Sequence, residues 1–296
     1  MKIPSLLLAL GLALSSASSA QDFSQVEIKT VPVAEGLYML MGRGGNIAVL
    51  AGDDGVFLVD DQYAPLTEKI LAAVQAISAG PVRFLVNTHW HGDHTGGNEN
   101  LGEAGVVVVA HDNVRERMSV KQVMRARGME VPASPSAALP VLTFPTSVTF
   151  HLNGVTTEVV HVTPAHTDGD SVVWFAERNV VHTGDTFFNG FYPYIDVGSG
   201  GSIDGVISAV DGVLARADHE TKIIPGHGPL SNREELEAYR EMLVTVRDRV
   251  RAALVAGKGA DEILADKPTG DLDAAWGGGF MKPEDFVRIV VADLSR

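Results

Sequence analysis

The chain has 296 residues, 45% of them hydrophobic and 20% charged, and no cysteine. That length suits one large two-layer core, and the missing cysteine excludes disulfides and thiolate metal ligands. A formal charge of −14 disfavours nucleic-acid partners, whose phosphates call for a basic footprint.

In chain order, the first twenty residues read as a secretory leader. Lys2 supplies the positive start, residues 6–14 the apolar core, and Ser18, Ser19 and Ala20 a small-residue cleavage site. The apolar core is too short to span a bilayer, and no cysteine follows to carry a lipid. Cleavage near Ala20 is therefore expected to leave a periplasmic or secreted protein with no stable membrane anchor. Short apolar runs at 26–33, 37–41, 47–51 and 56–60, broken by turn signals such as Gly52-Asp53-Asp54-Gly55, predict strands. Leu66, Ile70, Val74 and Ile77 have helical spacing within 65–78. Strands are predicted at 82–87 and 106–110 and a helix over 112–127. Residues 128–145, with four prolines, read as an irregular loop able to overhang a site. Apolar runs at 159–162, 172–181 and 222–224 predict further strands, and helices are predicted at 204–216, 233–256 and 281–294. With no internal repeat or low-complexity tract, residues 21–296 read as one domain.

Residues 88–94 read Thr-His-Trp-His-Gly-Asp-His directly after a predicted strand. They place four metal-binding side chains, His89, His91, Asp93 and His94, within six residues. A strand end is rigid enough to fix their directions, and Gly92 is expected to turn the backbone so that Asp93 and His94 point away from His89 and His91. Two groups facing two places imply two metals. Three more segments put a His or Asp at the end of an apolar run beside Gly or Pro: His166, Asp185 with His182 before it, and His227. Strand ends converging on one sheet edge can collect ligands that are distant in sequence.

With these motifs in this order, the chain resembles the metallo-β-lactamase-fold superfamily of hydrolases from near Gly36 to His227. The resemblance implies a four-layer αβ/βα sandwich of the α/β (α+β) class, two mixed sheets face to face with helices outside. It implies that His89, His91 and His166 hold one metal, that Asp93, His94 and His227 hold the second, and that Asp185 bridges them. A bridging carboxylate is typical of the glyoxalase II, lactonase and phosphodiesterase branches, whereas Cys-containing β-lactamases carry a cysteine there. The lysine those β-lactamases place three residues later corresponds to Phe188 here. Iron-based two-metal members usually carry a Glu where His91 stands. Neutral imidazoles with hard carboxylates suit zinc and tolerate iron or manganese. Two Zn2+ per chain are therefore expected, sharing a hydroxide of lowered pKa.

Other segments read as shaping that site. The loop Gly42-Arg43-Gly44-Gly45-Asn46 lacks the following helix a phosphate loop needs, and the resemblance makes it a flap beside the metals. After Asp185, five aromatics fall within eight positions, Phe187, Phe188, Phe191, Tyr192 and Tyr194. Some are expected to wall a substrate pocket and others to pack the core edge. Tyr192 and Tyr194 keep a hydroxyl for a polar ligand, and Asn189 joins them as a pocket candidate. Asp60 is expected to accept the free N–H of a ligating His and so fix its tautomer. His182 reads as a strand histidine satisfied locally, and Trp90 as packing under the metals. His111, His151, His161 and His219 carry no functional assignment.

The expectation is a secreted two-zinc hydrolase acting on a small molecule. A metal-bridging hydroxide would attack a small cyclic amide or ester of β-lactam or lactone type, with Asp93 orienting it and passing on its proton. Phosphodiester or thioester hydrolysis on the same fold, and an iron-dependent persulfide dioxygenase, are the alternatives. No Lys/Arg cluster in the C-terminal part matches the one glyoxalase II uses for glutathione.

Overall fold

A computed structural model describes residues 22–124 and 128–296. The leader expected at residues 1–20 lies outside the described residues. The strands run β1 (Lys29–Ala34), β2 (Leu37–Met41), β3 (Ile47–Gly52), β4 (Gly55–Val59), β5 (Val82–Val86), β6 (Val107–His111), β7 (Gln122–Met124), β8 (Met129–Val131), β9 (Leu142–Phe144), β10 (Ser147–Leu152), β11 (Val155–His161), β12 (Ser171–Phe175), β13 (Val180–His182) and β14 (Lys222–Ile224). The α-helices are α1 (Thr67–Ile77), α2 (Gly92–Thr95), α3 (Asn98–Glu103), α4 (Asp112–Met118), α5 (Ile203–Arg216), α6 (Arg233–Val255), α7 (Ala260–Ala265), α8 (Asp273–Trp276) and α9 (Pro283–Leu294).

Two mixed sheets form the centre. One has the order β1-β2-β3-β4-β5-β6-β9 and the other β10-β11-β12-β13-β14. Side chains alternate between faces along a strand, and here both faces are apolar. Ala48, Leu50, Phe57 and Val59 of the first sheet meet Val159, Val173, Phe175 and Ile224 of the second, making the middle layer. Ile47, Val49, Val56 and Leu58 point the other way, onto Ile70 and Val74 of α1. Val172, Trp174, Val181 and Ile223 likewise face outward onto α5, α6 and α9. The result is helix, sheet, sheet, helix, the αβ/βα sandwich expected. Among the described residues no helix is long and apolar enough to cross a membrane.

Three segments differ from the sequence reading. The run 172–181 is two strands, because Asn179 takes a left-handed turn at φ +47° and β13 folds back on β12 with Phe175 opposite Val180. The helix expected over 112–127 stops at Met118. The Gln122 side chain there donates to the carbonyls of Arg117 and Val120, satisfying chain ends the helix would otherwise continue through. β7 then pairs antiparallel with β8, Met124 opposite Met129. Residues 128–145 are accordingly not irregular throughout: they hold β8 and β9, the latter an edge strand parallel to β6.

Candidate metal centre

β4 runs parallel to β5, and β13 to β14, while two antiparallel steps give β11 the direction of β13. The loops after all five strands therefore emerge at one edge of the sandwich. His89 and His91 follow β5, His166 follows β11, Asp185 follows β13 and His227 follows β14. His91 is the N-cap of the one-turn helix α2, which carries Asp93 and His94. Gly92 has open space where a Cβ would stand and no positive φ. The divergence of the two groups thus comes from the helical turn and not, as expected, from glycine's conformational freedom.

The seven side chains converge. One ligand atom from each of His89, His91, His166 and Asp185 lies within 4.8 Å of the others, as do those of Asp93, His94 and His227. Asp185 stands between the groups with its two oxygens divided. Oδ2 is 3.8 Å from His89 Nε2 and 3.5 Å from His166 Nε2. Oδ1 is 3.1 Å from His94 Nε2 and 3.4 Å from His227 Nε2. Asp93 Oδ2 lies 3.4 Å from His227 Nε2.

The outward nitrogens fix what faces inward. Thr88 Oγ1 donates its one hydrogen to Asp60 Oδ2, 2.8 Å away. It must therefore accept from His89 Nδ1, 3.1 Å away, which leaves His89 Nε2 bare. His94 Nδ1 donates to Asp60 Oδ2 at 2.8 Å, and His166 Nδ1 to the Tyr194 carbonyl at 2.7 Å. His91 Nε2 donates to Asp196 Oδ2 at 3.0 Å. Lone pairs are then aimed at one another: His91 Nδ1 and His166 Nε2 stand 2.9 Å apart. His89 Nε2 is buried without a hydrogen-bond partner among the described residues, and Asp185 Oδ1 is buried with only the ring nitrogens of His94 and His227 facing it. A buried cluster of acceptors with its donors turned outward is the arrangement a cation requires, and nitrogen and carboxylate donors fit a divalent ion.

The charges agree. Burial holds His89 well below its ordinary pKa and His166 down at about 4, so both are neutral bases. Burial also pulls on His94 and His227, but Asp185 and neighbouring carboxylates outweigh it, lifting His94 well up and His227 to about 9. Burial raises Asp185 and Asp93, and the imidazoles overcome it and hold both carboxylates low. In the metal-free protein the second group therefore carries protons where a metal would carry its charge.

Asp60 sits where the sequence reading placed it, fully buried at φ +63°, and it also accepts the Thr88 amide at 2.8 Å. His182 is satisfied locally by Asn46 O and the Gly184 amide. The loop at residues 42–46, expected as a flap, has an exposed tip at Gly42 and Arg43 and a buried base at Gly45 and Asn46 that buttresses the site. The Asn46 side chain donates to Pro225 O and Gly228 O, and its amide to Gly226 O. A Cβ on Gly45 would stand 2.0 Å from His94 Cε1, so glycine there lets backbone pack on the imidazole.

A cleft of about 290 Å3 opens over the site, with Tyr63, Trp90, Met124, Met129, Val131, Pro132, Tyr194 and Phe280 around His91, Asp93, Asp185 and His227. Part of 128–145 does overhang it. Tyr194 is in this wall, but Tyr192 and Asn189 are not. Tyr192 is fully buried, stacks on Phe286 and donates to Asp273 Oδ1 at 2.9 Å. The Asn189 side chain donates to Glu235 and Pro229 O, tying its loop to α6. Phe188 is buried and stacks on the His227 ring. Sequence reasoning passed over Asp196, which orients His91. It closes the aromatic run, and a carboxylate placed after so apolar a stretch was the available signal.

Residues 40–228 match the family model of the metallo-beta-lactamase superfamily. A hydroxyacylglutathione hydrolase of Polaromonas sp. is 25% identical over 67% of this chain and 67% of its own length. A metallo-beta-lactamase type 2 of Bacteroides fragilis is 23% identical over 64% of this chain and 74% of its own. The chain spans only 46% of the hydroxyacylglutathione hydrolase of Rhodospirillum rubrum, which it matches at 28% identity over 47% of its own length. Among solved structures, the sec-alkylsulfatase Pisa1 from Pseudomonas sp. superposes with a TM-score of 0.69 at 19% identity, over 89% of this chain and 50% of that one. A metallo-beta-lactamase from Pontibacter korlensis gives 0.60 at 20% identity, over 73% and 99%.

Proposed function

The chain belongs to the metallo-beta-lactamase superfamily, and from that premise we propose a hydrolase that holds two divalent ions, zinc first, and cleaves a small apolar ester or lactone. The division of Asp185, one oxygen toward each group of histidines, carries this reading. His89, His91 and His166 would hold one ion, Asp93, His94 and His227 the other, and Asp185 both. Such a pair polarises an acyl oxygen and makes water nucleophilic near neutral pH.

The protein's own groups do the rest. Asp60 and Asp196 hold the imidazoles in the tautomers that face inward. Asp93 is the more exposed carboxylate of the centre, its side chain 24% accessible against 4% for Asp185. It is therefore the one placed to orient water and receive its proton. The aromatic and aliphatic walls exclude water and seat an apolar substrate. The cleft lining includes the Glu130 carboxylate, which favours a neutral ester or lactone over an anionic phosphodiester, glutathione thioester or carboxylate-bearing β-lactam. With residues 1–20 read as a secretory leader, its proposed place of action is the periplasm or outside the cell.

The test is a panel on zinc-loaded protein: an aliphatic lactone, nitrocefin, a thioester and p-nitrophenyl phosphodiester. The lactone should show the highest kcat/KM, and elemental analysis should find close to two zinc ions per chain. A dominant phosphodiester rate would overturn the substrate reading. One iron per chain with persulfide-dependent oxygen uptake would overturn the hydrolase.

A further inference from the structure

Beside the metal cleft lies a larger cavity of about 790 Å3. Tyr194 and Phe280 line both spaces, so the two meet at these rings. Phe280 is 51% exposed, and its ring centre is 6.1 Å from that of His227. The cavity continues from there along Ile195, Met281, Ile289 and Ala292. Phe280 and the α9 residues come after residue 228, where the match to the family model ends. This wall is therefore built by sequence outside the matched frame.

Size and chemistry separate the roles of the two spaces. Small-molecule pockets usually measure roughly 300–1,000 Å3. The metal cleft, at about 290 Å3, holds little beyond a reacting group, whereas the neighbouring cavity has room for a long substituent. Its charged members do not call for a charged ligand. Arg296 already donates to the Val197 and Gly201 carbonyls and to Asp293. Asp285 and Arg288 are exposed, three residues apart on α9, and of opposite sign.

We infer that this cavity receives an unbranched, uncharged acyl or alkyl tail of the substrate, which passes between Tyr194 and Phe280 while the reacting group lies at the metal centre. The inference deepens the ester or lactone hydrolase reading and rests on it only for the reacting group. Each methylene entering an apolar wall should strengthen binding roughly threefold to fourfold until the space is filled.

Binding and turnover are measured separately. Isothermal titration of metal-loaded protein with 1-butanol, 1-hexanol and 1-octanol reads the cavity without catalysis, and affinity should climb by that factor per methylene. Ala292→Trp, at an exposed position of α9, should flatten the series, and Ala292→Leu should give an intermediate slope if the larger side chain perturbs folding. A flat series in the wild type, or a steep one untouched by both variants, overturns the inference. So does sedimentation showing that octanol or Ala292→Trp splits a dimer, which would make the cavity an interface between copies. In turnover, kcat/KM for lactones with side chains of two to eight carbons should rise with length in the wild type and level off in Ala292→Trp. Octanol binding that depends on Ala292, with no lactone or ester hydrolysed, keeps the tail cavity and removes the hydrolase reading.

Discussion

Asp60 shows how much one residue contributes to the centre. Its backbone is left-handed at φ +63°, a region where Asp and Asn are tolerated best among residues other than glycine. That turn drops a fully buried carboxylate beneath both metal groups, serving His94 directly and His89 through Thr88. Asp60→Asn keeps the backbone preference but replaces an acceptor of N–H and O–H donors with a half-donor amide. It should weaken metal binding roughly 10- to 100-fold, read by competition with a chelator of known affinity, while the metal-free protein keeps its circular dichroism. An unchanged affinity would remove Asp60 from the supporting role. Tyr192 is the opposite case. Its hydroxyl is spent on Asp273 and not on the cleft, so Tyr192→Phe should cost about 1 kcal/mol in urea unfolding and leave kcat/KM unchanged. The metal-facing histidines were legible because their chemistry is local to short motifs. The pocket was not, since an aromatic run looks alike whether its rings face the core or the cleft.

Among the elements, strands were easiest to read where each face meets a different apolar layer, as in β3 and β4, and hardest where a turn hides inside an apolar run. The β12–β13 turn is such a case, and Asn179 makes it possible. At φ +47° it accepts the Thr221 hydroxyl and donates to Asp218, pinning the turn to the start of β14. β13 and β14 carry Asp185 and His227 on the loops at their other ends, so the turn lies at the far end of both strands from the site. Asn179→Ala should cost about 2 kcal/mol, from forcing a Cβ-bearing residue without a local partner into the left-handed region and from the lost hydrogen bonds. Asn179→Gly should recover the backbone part, and urea midpoints of the two variants separate the terms. Metal content should be unaffected in both, and a loss of one metal would mean the turn acts on the site as well as on stability. The helix predicted through residue 127 failed for a related reason. Val114 and Met118 keep helical spacing, and the change to a hairpin after them rests on Gln122 capping the preceding carbonyls.

At the scale of the whole molecule, the centre is a place where folding and metal binding exchange charge. Without metal, burial lowers His227 but Asp185 and Asp93 raise it to about 9, above the ordinary 6.5. A raised histidine stabilises the metal-free fold fully below about pH 6.5, and that contribution fades as pH rises through about 9. Metal needs the bare nitrogen, so its affinity moves the other way and strengthens over the same window. Both effects widen the stability gap between loaded and stripped protein as pH rises. With metal at about 100 times its dissociation constant, each site contributes about 2.7 kcal/mol, and for a chain of this size that raises Tm by about 4 °C per site, or about 9 °C for both. The difference in Tm between zinc-loaded and chelator-stripped protein should therefore be larger at pH 8.5 than at pH 6.5. His227→Ala, which removes one of the two imidazoles held protonated by the carboxylates, should shrink that pH dependence while the His89, His91 and His166 site still binds. A gap that narrows with rising pH would place the titrating partner of the metal elsewhere in the molecule.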